Sequence, residues 1–307
     1  MKNTFKISLF FFITTLAFIS CKDEKKSSVI EETMTSGKIT LFTDNTVQPI
    51  VEDVLAVFHS IYDRAQIEQV NMTEQEIIQS MLNDSATVAI LPRKLTEQEE
   101  AHFTNKKITP RITEFAVDAI ALVTNKKATD SVINLEEVLN VLRGKPSGKI
   151  KSLVFDNAGS STVQYLLGIA GVKNVPSQGV YSLKTNEEVI KFVHDNNGSI
   201  GIVGVNWLVQ PPKELKQYID NITVLAVDNV TKDGGQKKYY KPNQSNIATG
   251  SYPLTRTVYV LNYQGKKGLG MGFATYITAQ DGQRIILKSG LLPVDIPTRE
   301  ISVRNEL

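Results

Sequence analysis

From residue 38 onward, short apolar segments alternate with amphipathic ones, and this alternation restricts the fold more than any other feature of the chain. Residues 38–43 (KITLFT), 67–71 and 87–91 (TVAIL) read as strands, as do 108–115 and 116–124 (AVDAIALVT). Between them lie helical patterns. Residues 47–62 place Val51, Val54, Leu55 and Phe58 on one face, residues 73–83 open with the capping-box pattern Thr73-Glu74-Gln75-Glu76, and 97–103 form a short helix. A β-α-β-α-β order predicts a parallel sheet covered by helices on both faces.

A second unit follows: helix 135–143, strand 152–155, helix 162–171 stopped by Gly171, helix 186–195, and strands 200–205 and 222–227. Residues 232–251 are polar and read as a surface loop. Order returns with strand 256–262 (RTVYVLN) and one long helix over 269–289. Crossings between units fall near 114–118 and again in 241–253, which returns the C-terminal helix to the first unit. The expected division is lobe 1 at 37–117 plus 252–307 and lobe 2 at 118–251. A chain of 307 residues has room for about two domains.

The first 20 residues read as a secretory signal peptide: Lys2 and Lys6 precede an uncharged, mostly apolar run of 14 residues (7–20), too short to span a bilayer as a helix. The run ends Phe18-Ile19-Ser20-Cys21, which resembles a bacterial lipobox and implies lipidation of Cys21. A plain signal peptide followed by a chance cysteine is the alternative. Residues 21–36 then form a lipidated, polar tether. Without Lys2 and Lys6, 32 cations face 32 anions in the remainder, so no cationic surplus is available for nucleic-acid binding. Cys21 is the only cysteine, which excludes an intramolecular disulfide and a thiolate metal site.

Four segments, 115–123 (FAVDAIALV), 198–203 (GSIGIV), 252–256 (YPLTR) and 282–283 with 290–293 (GQ…GLLP), carry a family resemblance in their order and spacing. Over about residues 37–294 the chain resembles the PstS-like binding proteins of the phosphate ABC transporter. The resemblance implies an α/β, type II periplasmic-binding-protein fold with two lobes joined by a two-segment hinge. It implies binding of inorganic phosphate or another small oxyanion, delivery to an ABC transporter permease, and no cofactor, metal or enzymatic activity. The place implied is the bacterial cell envelope, on the periplasmic face or outer surface, with the membrane reached through the N-terminal lipid. A second reading keeps the fold without phosphate, as an envelope lipoprotein for another solute or a protein partner.

Oxyanions suit helix N-termini, where free N–H groups and a partial positive charge converge. Two strand-to-helix turns have that character: 43–47 (TDNTV), with Pro49 in the first helical turn, and 156–162 (DNAGSST). They nominate Asn45, Thr46, Val47, Ser160, Ser161 and Thr162 as ligand contacts, and the loop 91–95 (LPRKL) adds Arg93. Asp44, Asn45 and Thr46 serve equally well as a simple helix cap, the three hydroxyls at 160–162 as a richer one, and Arg93 as a surface cation. The resemblance aligns 156–162 with the family's Arg-x-x-x-Ser-Gly-Thr phosphate loop. Ser161 then stands at the glycine and Asp156 at the arginine, a carboxylate where a bidentate cation is usual. Arg93 and Arg256 are the cations that could replace it. Gly268, Gly270 and Gly272 lack a dinucleotide spacing and read as close packing; His59, His102 and His194 form no i,i+4 pair; Trp207 reads as core or hinge. No nucleophile elbow, HExxH or P-loop occurs, and a hydrolase built on Ser160 would need His194 beside it.

Overall fold

The computed structural model describes residues 31–296 apart from Thr129 and Asp233. The signal-peptide and Cys21 readings lie outside the described residues. The chain divides between Glu31 and Glu32, and the fold below belongs to Glu32–Leu307.

In chain order the first elements are β1 (Gly37–Asp44), a 3-10 turn (Asn45–Val47), α1 (Gln48–Ile61), β2 (Ala65–Met72), α2 (Glu74–Leu82), β3 (Val88–Leu91), α3 (Glu97–Asn105) and β4 (Arg111–Asn125). The second group is β5 (Val132–Ile133), α4 (Leu135–Leu142), β6 (Ser152–Phe155), α5 (Ser161–Ala170), β7 (Val180–Ser182), α6 (Asn186–Asp195), β8 (Ser199–Gly204) and α7 (Asn206–Val209). It continues with α8 (Lys216–Ile219), β9 (Ile222–Val224), β10 (Ala226–Asp228), β11 (Tyr239–Tyr240) and α9 (Gln244–Ala248). The chain then returns through β12 (Thr255–Asn262), α10 (Leu269–Thr278), α11 (Gln280–Lys288) and β13 (Leu292–Pro293).

The main sheet runs β2-β1-β3-β12-β4-β8-β6-β7, and β4 also pairs β9 and β13. Pairing is parallel for β1 with β2 and β3, and for β6 with β7 and β8, as βαβ crossovers require. The sheet as a whole is mixed rather than parallel, because β12 lies antiparallel between β3 and β4, and β4 antiparallel to β8. The returning strand enters from the opposite end and can only pair in that sense.

Strand β4 replaces the two strands expected over 108–124. Residues 111–119 pair β12 and residues 120–124 pair β8, so one strand belongs to both lobes. The expected break at Phe115 is a β-bulge, where the register shifts between Val258 and Tyr259. Three other expectations are corrected. The strand over 222–227 is two, since buried Leu225 turns the chain from β4 toward β5. The surface loop 232–251 contains α9, capped by Asn243, whose side chain accepts from the Asn246 N–H. The helix over 269–289 breaks at Ala279, which is extended at φ −76° and ψ 168°. There α11 folds back so closely that a Cβ on Gly282 would lie 2.5 Å from the Tyr276 carbonyl oxygen.

Helix α1 buries Ile50, Val51, Val54, Leu55 and Phe58, each contributing about 1.5–3 kcal/mol relative to exposure. Phe58 meets Phe273 and Tyr276 edge to face, with centroids 5.6 and 5.2 Å apart, which seats α10 against α1. Trp207 is buried among Val189, Val193 and Leu215 in the second lobe. The last residues read as tether are packed: Glu32 pairs with Lys266, and the Thr33 N–H donates to the Ser36 carbonyl at 2.9 Å. The Met34 carbonyl rests where a side chain on Gly272 would be. Gly272→Ala is therefore expected to cost about 1–3 kcal/mol by overpacking and to expose residues 31–36. Faster proteolysis ahead of Gly37 in the variant checks this; an unchanged cleavage rate contradicts it.

Candidate ligand-binding site

The strand β1 ends at Asp44, whose carboxylate turns back to cap the next turn: Oδ1 accepts from the Thr46 N–H at 2.9 Å and from the Thr46 hydroxyl. This is ordinary capping chemistry, placed at the C-terminal edge of a parallel strand, where α/β sheets bind ligands. The same device recurs after β6. Ser160 caps α5, its Oγ accepting from the Val163 N–H at 3.4 Å and lying 2.9 Å from the Thr162 Oγ1. Thr162 in turn donates to Asp156 at 3.3 Å.

The fold brings these two turns face to face. Thr46 Oγ1 and Ser161 Oγ are 3.1 Å apart, and Ser161 Oγ donates to Asp44 Oδ1 at 3.0 Å. Arg256, on β12, closes the group. Its Nη1 donates to Ser161 Oγ at 2.8 Å, and its Nη2 to Thr46 Oγ1 at 3.1 Å and to Asp118 Oδ2 at 2.5 Å. Arg256 and Asp118 are direct partners in the β12–β4 register, so strand pairing itself builds the ion pair. Around this centre Asn206 donates to the Thr46 carbonyl at 2.9 Å, and the Gln75 N–H to the Gly159 carbonyl at 3.4 Å. A Cβ on Gly204 would lie 2.7 Å from the Thr46 carbonyl oxygen, so glycine permits the approach.

All the side chains at this centre are buried: Asp44, Thr46 and Asp118 at 0 % exposure, Ser161 at 1 % and Arg256 at 4 %. Burial pushes the Asp44 carboxyl up to about 6, against the opposing pull of Arg256 and the Thr46 bonds. Burial likewise raises Asp118, opposed by Arg256, and Asp156, opposed by the Ser160 bond. Asp44 Oδ2, Asp118 Oδ1, Arg256 Nε and Asn206 Oδ1 have no hydrogen-bond partner among the described residues. Buried polar atoms left in this way are uncommon, and each needs a physical reason such as strain or a functional role.

The candidates divide accordingly. Thr46 and Ser161 meet directly, with Ser160 and Thr162 in the adjoining turn. Asn45 sits half-buried in the 3-10 turn, and the Val47 side chain is absorbed into the apolar core. Arg93 is engaged elsewhere. It donates to Glu74 at 2.7 Å and forks onto Glu99 at 2.8 and 3.0 Å. Although burial opposes it, the Glu99 and Glu74 carboxylates hold the guanidinium above its ordinary value. Arg256 is the cation that reaches the two turns. Its signal in the sequence is phase: it alternates with Val258 and Val260 on the core side of β12, where an arginine needs a buried partner. Asp118 within the apolar β4 carries the same signal. Asp156, at the position of the family arginine, accepts from Thr162 and, at 3.3 Å, from Asn186. His194 bonds Asp195 at 2.7 Å, while Ser160 is engaged with Thr162, so no Ser-His pair forms between them.

Comparison with known proteins gives a consistent picture. The phosphate-binding protein PstS of Bacillus subtilis (strain 168) is 24% identical over 284 residues, 89% of this chain and 86% of that protein. A phosphate ABC transporter substrate-binding protein from Clostridium perfringens, solved with bound phosphate, superposes with a TM-score of 0.68 at 19% identity. That match covers 84% of this chain and all (100%) of the other. An ABC-type phosphate transport receptor from Vibrio cholerae gives 0.62 at 16% identity, over 84% of this chain and 100% of that one. The family model described as "PBP superfamily domain" matches residues 28–281. The chain therefore belongs to the PBP superfamily domain family, a family of solute-binding rather than catalytic domains, and carries the two-lobed α/β fold of type II periplasmic binding proteins.

Proposed function

We propose that this protein is an extracytoplasmic solute-binding protein that holds a small oxyanion, inorganic phosphate first, between its two lobes for uptake by an ABC transporter. The lobes are 37–117 plus 252–307 and 118–251. Thr46, Ser160 and Thr162 supply neutral donors, and Arg256, which Ser161 meets from the facing turn, supplies the charge that position 156 lacks. The observation that carries the reading is the convergence of Arg256 on Thr46 and Ser161, one hydroxyl from each lobe. A guanidinium between hydroxyls is a fitting oxyanion cradle, because it offers directed donors as well as charge. The relatives named above, described as phosphate-binding or phosphate-transport proteins, support the choice of phosphate. Lipidation at Cys21 would tether the protein to the envelope membrane, and the lipobox-like 18–21 motif supports it. Among the described residues no helix is long and apolar enough to cross a membrane.

Saturating phosphate, at about 100 times the dissociation constant, is expected to stabilise the protein by about 2.7 kcal/mol, a rise of roughly 5–10 °C in melting temperature. Absence of both a thermal shift and a calorimetric heat would remove phosphate from the proposal. A second reading, in which the fold persists for another solute or a protein partner, is favoured by two buried carboxylates, Asp44 and Asp118, around one arginine, with a third, Asp156, in the adjoining turn. That reading expects no phosphate heat and co-purification with an envelope protein.

A further inference from the structure

The hydrogen bonds around Arg256 form a closed ring. Arg256 Nη1 donates to Ser161 Oγ, which donates to Asp44 Oδ1; Arg256 Nη2 donates to Thr46 Oγ1, which donates to the same Asp44 oxygen. Arg256, Asp44 and Thr46 all stand on the lobe built from β1, β3 and β12. Ser161 is the one ring member from the other lobe. Its hydroxyl spends its proton on Asp44 and receives one from Arg256, so it is bonded to Asp44 and Arg256 at once. Charge-assisted bonds made in a buried setting are among the stronger ones available to a hydroxyl.

We infer that Ser161 is an internal latch and an affinity-determining residue: its Oγ closes the two lobes with no solute present and competes with an incoming oxyanion for Arg256 Nη1. The competition follows from geometry: both Nη2 hydrogens are taken by Thr46 and Asp118, so an oxyanion that binds the guanidinium on the side facing the two turns must take the Nη1 hydrogen now given to the serine oxygen 2.8 Å away. The apparent affinity for solute is lowered by the factor by which the latched form outweighs the open one. The latch itself does not depend on which solute binds; the competition rests on the oxyanion reading above. Other contacts between the lobes survive loss of the hydroxyl, among them Asn206 to the Thr46 carbonyl and the Tyr165 hydroxyl to the Thr255 carbonyl at 2.9 Å. Ser160 still caps α5. Ser161→Gly therefore removes the latch without removing the helix start.

The test uses the full-length chain with Cys21→Ser, which removes the one native thiol. Spin labels are placed at Glu68→Cys on β2 and Tyr181→Cys on β7, exposed positions on the two edge strands of the sheet path. In phosphate-free buffer the otherwise native chain is expected to show one short label-to-label distance. Adding Ser161→Gly is expected to bring up a longer distance, with the open fraction rising more than about tenfold. Phosphate titration by calorimetry is run in parallel, and the variant is expected to bind more tightly by a similar factor. An unchanged distance distribution in Ser161→Gly overturns the latch, as does an open native chain. Weaker phosphate binding with unchanged distances also overturns it, since the hydroxyl is then only a solute contact. If distances shift and neither protein binds phosphate, the latch stands and the phosphate reading falls.

Discussion

Arg256→Ala is expected to lower the melting temperature by roughly 10 °C and to abolish any calorimetric response to phosphate. The guanidinium is buried beside two carboxylates, Asp118 and Asp44, and truncation leaves both without a cation. Removing one partner of a buried ion pair costs about 3–5 kcal/mol, and each kcal/mol shifts the midpoint of a protein this size by about 2–4 °C. The loss belongs to the orphaned acids more than to the arginine's own contacts, which gives the prediction a second arm. Arg256→Ala combined with Asp118→Asn is expected to recover part of the stability, as interacting pairs do in a double-mutant cycle, but none of the binding. Arg256→Lys keeps the charge without the fork and is expected to retain more stability than solute affinity. A fully stable Arg256→Ala protein that still binds phosphate would place the anion site elsewhere.

Asp44 makes the stability of the fold depend on pH in a defined direction. Burial raises its carboxyl from 3.8 to about 6, so the native state holds this proton more tightly than the unfolded chain. The contribution is complete below pH 3.8, declines as the pH rises, and is gone once the pH has passed about 6. Asp118 and Asp156, also raised by burial, act in the same direction. Glu76 and Glu99, held low, act in the opposite one: Thr73 bonds lower Glu76, and at Glu99 burial is outweighed by Arg93 and Thr96. Asp44→Asn keeps an oxygen for Thr46 and Ser161 and removes the titration. Denaturant unfolding at pH 4.5 and 7.5 is the measurement. The stability difference between these pH values is expected to shrink by about 2 kcal/mol in the variant. An unchanged difference would show that Asp44 titrates as it does in the unfolded chain.

Legibility of the sequence followed the range of the interactions involved. The apolar face of α1, the capping box at Thr73 and the glycine stop at Gly171 all act within ten residues, and each was readable from spacing alone. The two turns at 44–46 and 160–162 were readable for the same reason. The helix expected over 269–289 breaks at Ala279 although the local sequence gives no stop there. What breaks it is the packing of Gly282 on the Tyr276 and Ile277 backbone, a contact between turns rather than a local preference. The two strands assigned to 108–124 are one, because pairing to β12 on one side and to β8 on the other outweighs the local irregularity at Phe115. At the candidate site the sequence offered two cations, Arg93 and Arg256, and only the fold separates them. Arg93 stands in a loop that follows β3 but lies against Glu74 and Glu99, and a carboxylate that is near in space takes a guanidinium before a distant site can.

The amino-acid order by itself determined most of the succession of strands and helices and the turns that offer hydroxyls, since periodicity and capping are short-range and leave a local signature; the two-lobed fold class was legible through the order and spacing of the family-like segments. Only the tertiary structure decided which charge those turns share. Thr46 and Ser161 are 115 residues apart, and Asp118 and Arg256 are 138 apart. Their meeting depends on an antiparallel register and on lobe contact through Gly204, and neither is encoded by the residues flanking any one of them.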